Sequence, residues 1–146
     1  MAGQRRDSSG RLGGSSSVDQ SSTPRQRLQA DLGRTVDRLR TLGLARLEAS
    51  FEPEPTRADA ARSVAQRLAD LAADLDGRPR LTLPTLGVQA AGDQLAVTGH
   101  DLLAAAADLQ IADLPGDPGS PHRAPADIDA LLLEAADLVL DLRRRL

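Results

Sequence analysis

The sequence predicts an all-α protein: a four-helix bundle with long loops and a disordered N-terminal tail. Three observations carry this expectation. The apolar residues are dominated by two strong helix formers, 25 Leu and 24 Ala against six Val, two Ile and one Phe, while strand-favouring residues are scarce. Apolar residues recur at steps of three and four in four separate stretches, which places each set on one face of a helix. Residues that start or stop helices flank those stretches. With 146 residues, 40% of them hydrophobic, the chain suffices for one core and is short for two ordinary domains. The expected organisation is a tail over 1–23 and a single helical-bundle domain over 24–146.

The tail is rich in Ser, Gly, Gln and Arg, with Leu12 and Val18 as its sizeable apolar side chains. It has too little to bury to offset the entropy of ordering it. The first helix opens at Thr23-Pro24, a good N-cap followed by Pro at the first helical position. Leu28, Leu32, Val36, Leu39 and Leu42 point inward. Gly43 is expected to close this helix in a left-handed Schellman turn that pairs Leu39 with Leu44. A short turn over 44–50 then faces Leu44 and Leu47 inward, and Glu52-Pro53-Glu54-Pro55 reads as a stiff acidic connector.

The second helix begins after Thr56, where Thr56-Arg57-Ala58-Asp59 is a near capping box with Asp in place of Glu or Gln. Its seam is Ala61, Val64, Leu68, Leu71 and Leu75, and Gly77 with Pro79 ends it. Residues 78–91 alternate apolar and polar but are broken by Pro84 and Gly87; they read as an extended loop laid over the bundle. The third helix, over 92–112, carries two apolar stripes. One holds Leu95, Gly99, Leu102, Ala106 and Leu109; the other holds Val97, His100, Ala104, Ala107 and Ile111. Gly99 weakens the helix by up to about 1 kcal/mol relative to Ala and is placed to let a neighbouring helix approach closely. A loop over 114–126 precedes the fourth helix, which starts near Asp127 and packs through Ile128, Leu131, Ala135, Leu138 and Leu142, widened by Leu132, Val139 and Leu146. The closing Arg143, Arg144 and Arg145 complement the negative end of its dipole.

Composition excludes several chemistries. The absence of Cys removes disulfides, thiolate metal sites and a Cys nucleophile, and the absence of Lys removes a Schiff-base lysine. There is no phosphate-binding glycine loop, no GxSxG and no HExxH. No apolar run is long enough to span a membrane, and the N-terminus has no signal-peptide core, so a cytoplasmic location is expected. Arg27, Arg34 and Arg38, with the tail arginines, are the one basic edge available for weak nucleic-acid contact. The net charge of −3 and the lack of Trp and Tyr for base stacking weigh against that use.

His100 is the one candidate for catalysis, as a general base assisted by Asp93 or Asp101. Adjacent helical residues diverge by about 100°, so Asp101 does not face it, whereas Asp93 lies two turns away on the same side. His122 joins only if its loop folds back. The carboxylates Asp127, Asp129, Glu134, Asp137 and Asp141 fall on the outer face of the last helix, away from a di-metal arrangement. No cofactor and no metal are expected. The leading expectation is a non-catalytic protein that binds another protein or a second copy of itself. Its predicted interface is the spare apolar faces of the last two helices: Val97, Ala104 and Ile111 on one, Leu133, Ala136 and Leu140 on the other.

Overall fold

The computed structural model describes residues 22–112 and 124–146, and this part of the chain is mostly helical. Its elements are α1 (Pro24–Thr41), α2 (Leu44–Leu47), β1 (Ser50–Phe51), β2 (Glu54–Thr56), α3 (Arg57–Asp76), a 3₁₀ turn (Val88–Ala90), α4 (Ala91–Ala112) and α5 (Pro125–Arg145). The disordered tail expected over 1–23 falls almost wholly, and the loop with His122 largely, outside the described residues.

α1 and α3 begin where the cap chemistry places them. Thr23 and Gln26 form a reciprocal capping box at α1, with the Thr23 hydroxyl accepting from the Gln26 amide at 3.2 Å and the Gln26 side chain accepting from the Thr23 amide at 3.1 Å. At α3 the Thr56 hydroxyl accepts from the Asp59 amide at 3.1 Å and donates to the Asp59 carboxylate at 2.7 Å. The shorter Asp thus satisfies the Thr hydroxyl rather than the N-cap backbone. Gly77 is left-handed at φ 64°, and the Arg78 amide donates to the Ala73 carbonyl at 2.8 Å, the long bond of a Schellman end.

Gly43 does not play that part. Leu42 ends α1 in an extended conformation, and Gly43, at φ −67°, starts α2 instead. The chain turns through β-space rather than through the left-handed region, so Leu44 is carried outward to solvent while Leu47 enters the core. The acidic connector also differs from expectation: Ser50–Phe51 and Glu54–Thr56 pair as a small antiparallel hairpin with a cis Glu52–Pro53 bond at its turn. Phe51, the one aromatic residue, is buried between two guanidinium groups, Arg145 at 4.6 Å and Arg57 at 5.2 Å from its ring centre. Arg145 also donates to the Glu52 carbonyl at 2.8 Å and to the Glu54 carboxylate at 3.0 Å. The final arginines therefore do more than face a dipole: Arg145 fastens the hairpin to α5, and Arg143 approaches Asp31 of α1 at 3.4 Å.

α1 packs against α4 and α5, and α3 packs against the same two helices, while α4 and α5 barely meet. The last two helices therefore lie diagonally across from one another, with α1 and α3 on the two sides between them. The α1–α4 contact is close because of glycine. A Cβ on Gly99 would sit 2.7 Å from Leu32 Cδ1, and one on Gly92 would sit 3.3 Å from Leu39 Cβ. α5 is rotated from its expected seam. Ile128, Leu132, Ala135, Ala136, Val139 and Leu142 are buried, while Leu131 and Leu138 are only half-buried. At about 100° per residue the buried arc is turned by roughly 60° toward Ala136.

Two glycines on facing helices separate backbone propensity from packing. Gly33→Ala, whose added methyl meets nothing within 4 Å, is expected to raise stability by about 0.5–1 kcal/mol in urea unfolding. Gly99→Leu is expected to lower it by about 3 kcal/mol through overpacking against Leu32; equal effects would mean that Gly99 is not a packing constraint. The hairpin clamp adds a pH signature. The Arg145 hydrogen bond holds the Glu54 carboxyl below its ordinary value of 4.5. The clamp's contribution is then fully present above that value and is lost as pH falls through the lower folded-state value. Glu54→Gln should flatten this limb of a stability–pH curve; an unchanged limb would contradict the assignment.

Candidate functional site

α4 buries about half of its circumference. Leu95, Thr98, Gly99, Leu102 and Ala106 line the inner arc. Val97, Ala104 and Ile111 lie opposite, seven residues apart, on one exposed stripe. Val97 is 59% and Ile111 66% exposed, high values for β-branched apolar side chains on a long packed helix. Asp101 and Asp108 flank the stripe on the α3 side, also seven residues apart and exposed, and neither forms an ion pair or side-chain hydrogen bond among the described residues.

Residues 78–87 run in extended form beside this stripe, as the loop laid over the helices was expected to do. What fastens it leaves no period in the residues. The Gln66 side chain on α3 acts as a substitute strand: its Nε2 donates to the Leu81 carbonyl at 3.0 Å and its Oε1 accepts from the Leu83 amide at 2.8 Å. Gln94 Nε2 donates to the Pro84 carbonyl at 2.9 Å, Arg62 donates to the Leu86 carbonyl at 2.7 Å, and Arg80 pairs with Asp74 at 2.7 Å. Held this way, the strap turns Leu83 partly inward and leaves Leu81, at 74% exposure, and Leu86 in solvent. Two shallow clefts of about 310 and 250 Å³ result, and Leu83 and Asp101 line both. Val97, Leu86 and Pro84 line the larger one. Apart from Val97, none of this apolar surface was predicted, because it depends on side-chain bonds from α3 that leave no period in the sequence.

On the other flank of the stripe His100 is exposed at the edge of a groove of about 420 Å³ between α1 and α4. Asp93 lines the same groove, but its carboxylate accepts from Arg40 at 2.6 and 2.9 Å. Asp101 lines the clefts on the opposite flank. Neither proposed helper is thus placed to orient the imidazole. Among the described residues no group of three or more His, Cys, Asp or Glu side chains is arranged to hold a metal ion. No described helix is long and apolar enough to cross a membrane.

The predicted α5 surface is corrected. Ala136 is fully buried, because the rotation of α5 brings it into the core. Leu140 is half-buried, and Leu133 remains 38% exposed. Since α4 and α5 barely meet and lie diagonally across from one another, Leu133 and Val97 do not form one continuous patch. The basic edge of α1 is partly consumed as well: Arg27 pairs with Asp137 at 2.8 Å. The carboxylates of α5 are used singly, Glu134 with Arg67 at 2.6 Å and Asp141 near Arg145 at 3.8 Å. Comparison with protein-family models, with curated proteins and with solved structures finds no match.

If Gln66 substitutes for a strand, Gln66→Ala should release the strap while α3 and α4 stay packed. The Leu83 amide should then exchange with solvent about tenfold faster or more in hydrogen-exchange measurements, for a global loss of only about 1 kcal/mol. Unchanged exchange at Leu83 would mean that the strap is held by its leucines alone.

Proposed function

We propose that this chain is a non-catalytic protein built on a four-helix bundle, and that it works as an adaptor or regulator by binding another protein through the outer face of α4. The observation that supports this reading is the Val97–Ala104–Ile111 stripe, open along the length of a helix whose other half is fully packed. Leu86 of the strap extends the apolar surface beside Val97, and exposed Leu81 lines the adjoining cleft. Monomers seldom keep such contiguous patches without a use for them. The pairwise packing of α1, α3, α4 and α5 supports the bundle.

Energetics set the kind of complex. Val97, Ile111, Leu81 and Leu86 are already partly covered, so each gains roughly 1–2 kcal/mol on full burial. Their sum offsets only the lower part of the association cost, about 4–15 kcal/mol. A surface of this size suits a reversible partner rather than a permanent subunit.

A second reading rests on the groove beside His100. There the chain would be a small enzyme of unidentified reaction with His100 as general base. The engagement of Asp93 by Arg40 and the far placement of Asp101 make it the weaker of the two. Contact of the α1 arginines and the tail with nucleic acid has no supporting geometry beyond the exposed Arg34 and Arg38.

A photo-crosslinking amino acid at position 97 tests the leading reading in cells that make the protein, with position 129 on α5 as the control. A discrete cross-linked product from position 97 and none from position 129 is expected. No product from position 97, or the same product from both, would contradict it.

A further inference from the structure

The outer face of α4 is chemically one-sided. Its apolar stripe, Val97, Ala104 and Ile111, repeats every seven residues, and so does the acidic row beside it, Asp101 and Asp108. The segment 93–113 contains four Asp and no Lys or Arg. The third carboxylate described on this helix, that of Asp93, is neutralised by Arg40, but no base forms an ion pair with Asp101 or Asp108 among the described residues. Asp101 stands where the two strap clefts meet, with exposed Leu81, Leu86 and Val97 around it. Arg78 lines the same cleft as Asp101 but is paired with Asp76, so Asp101, unpaired among the described residues, loses hydration when the face is covered, a cost offset by an opposite charge on the occupant.

Resting on the protein-binding reading above, we propose that the occupant of this face is a basic amphipathic helix of another protein. Its apolar residues, at heptad spacing, pack along Val97, Ala104 and Ile111, and Arg or Lys residues on one edge meet Asp101 and Asp108. The matching seven-residue periods are those of two helices packed side by side with charges flanking the apolar seam. A second copy of this chain is the poorer occupant. Two α4 faces apposed about Ala104 bring four aspartates into one seam, where the neighbouring Arg40 and Arg78 are already paired with Asp93 and Asp76, and like charges in a covered interface are strongly unfavourable.

Two labelled synthetic helices of identical apolar pattern, one with arginines and one with glutamates at the flanking positions, test this against the full-length chain. Binding is read by fluorescence anisotropy, and the site by amide shifts in NMR. The arginine peptide is expected to bind saturably, about tenfold or more tighter than the glutamate peptide, to weaken with salt, and to shift Val97, Ala104 and Ile111. The double variant Asp101→Arg/Asp108→Arg, which leaves every apolar contact in place, should invert the preference. Equal binding of both peptides at the α4 face would overturn the charge inference and leave the protein-binding reading intact. No binding of either peptide, with the α4 amides unmoved, would overturn both. A dimer in light scattering that Val97→Glu dissolves, or occupation of the face by residues 1–21 of the chain itself, would replace the basic helix as occupant.

Discussion

The near contact between Gly99 of α4 and Leu32 of α1 is the constraint on which the arrangement turns. A core made almost wholly of Leu and Ala has few bulky rings with which to bridge gaps, so its helices must come close to fill space. Gly99 and Gly92 permit that on the α1 side, while Leu95, Leu102, Ala105 and Ala106 complete the inner arc toward the rest of the core. Once α4 is fixed between two neighbours, the rotation of the helix is fixed too. The residues half a turn away, Val97, Ala104 and Ile111, then have no course but outward. The exposed stripe is thus a consequence of good packing within, not of a poorly packed helix.

The pieces between the long helices are held by polar side chains acting on backbone. Gln66 supplies the donor and acceptor that a neighbouring strand would supply to Leu81 and Leu83. Arg145 does the like for the hairpin while covering Phe51 with its guanidinium plane. In both cases a segment with little to bury is anchored by satisfying carbonyl and amide groups that would otherwise face solvent alone. The consequence for function is positional. The strap brings Leu81 and Leu86 to the same side of the molecule as Val97, and it sets Asp101 between two clefts.

Much of this was legible in the residues. Thr23-Pro24, Thr56 and Gly77 mark helix ends by local hydrogen-bond chemistry, which needs no knowledge of distant contacts. The spare stripe of α4 followed from period alone, as did the expectation that Gly99 marks a close approach. What period could not give was the rotation of α5. That helix is apolar at Leu131, Leu132, Leu133, Ala135, Ala136, Leu138, Val139 and Leu140, so its sequence defines the buried arc poorly and the neighbours choose it. Ala136 was assigned to the surface on that account and belongs to the core. Gly43 failed for a different reason: a glycine after a helix permits a left-handed turn but does not demand one. The hairpin was hidden because Glu52-Pro53-Glu54-Pro55 has no strand propensity of its own and is held from outside by Arg145.

Everything proposed for this surface depends on α4 presenting its Val97–Ala104–Ile111 stripe to solvent in the free protein. Paramagnetic relaxation of methyl signals by a soluble, uncharged relaxation agent measures this directly. Strong broadening of the Val97, Ala104 and Ile111 methyls is expected, with those of Leu95 and Leu102 spared. Protection of all five to the same degree would mean that the stripe is already covered, and that the face proposed for a partner is part of the protein's own interior.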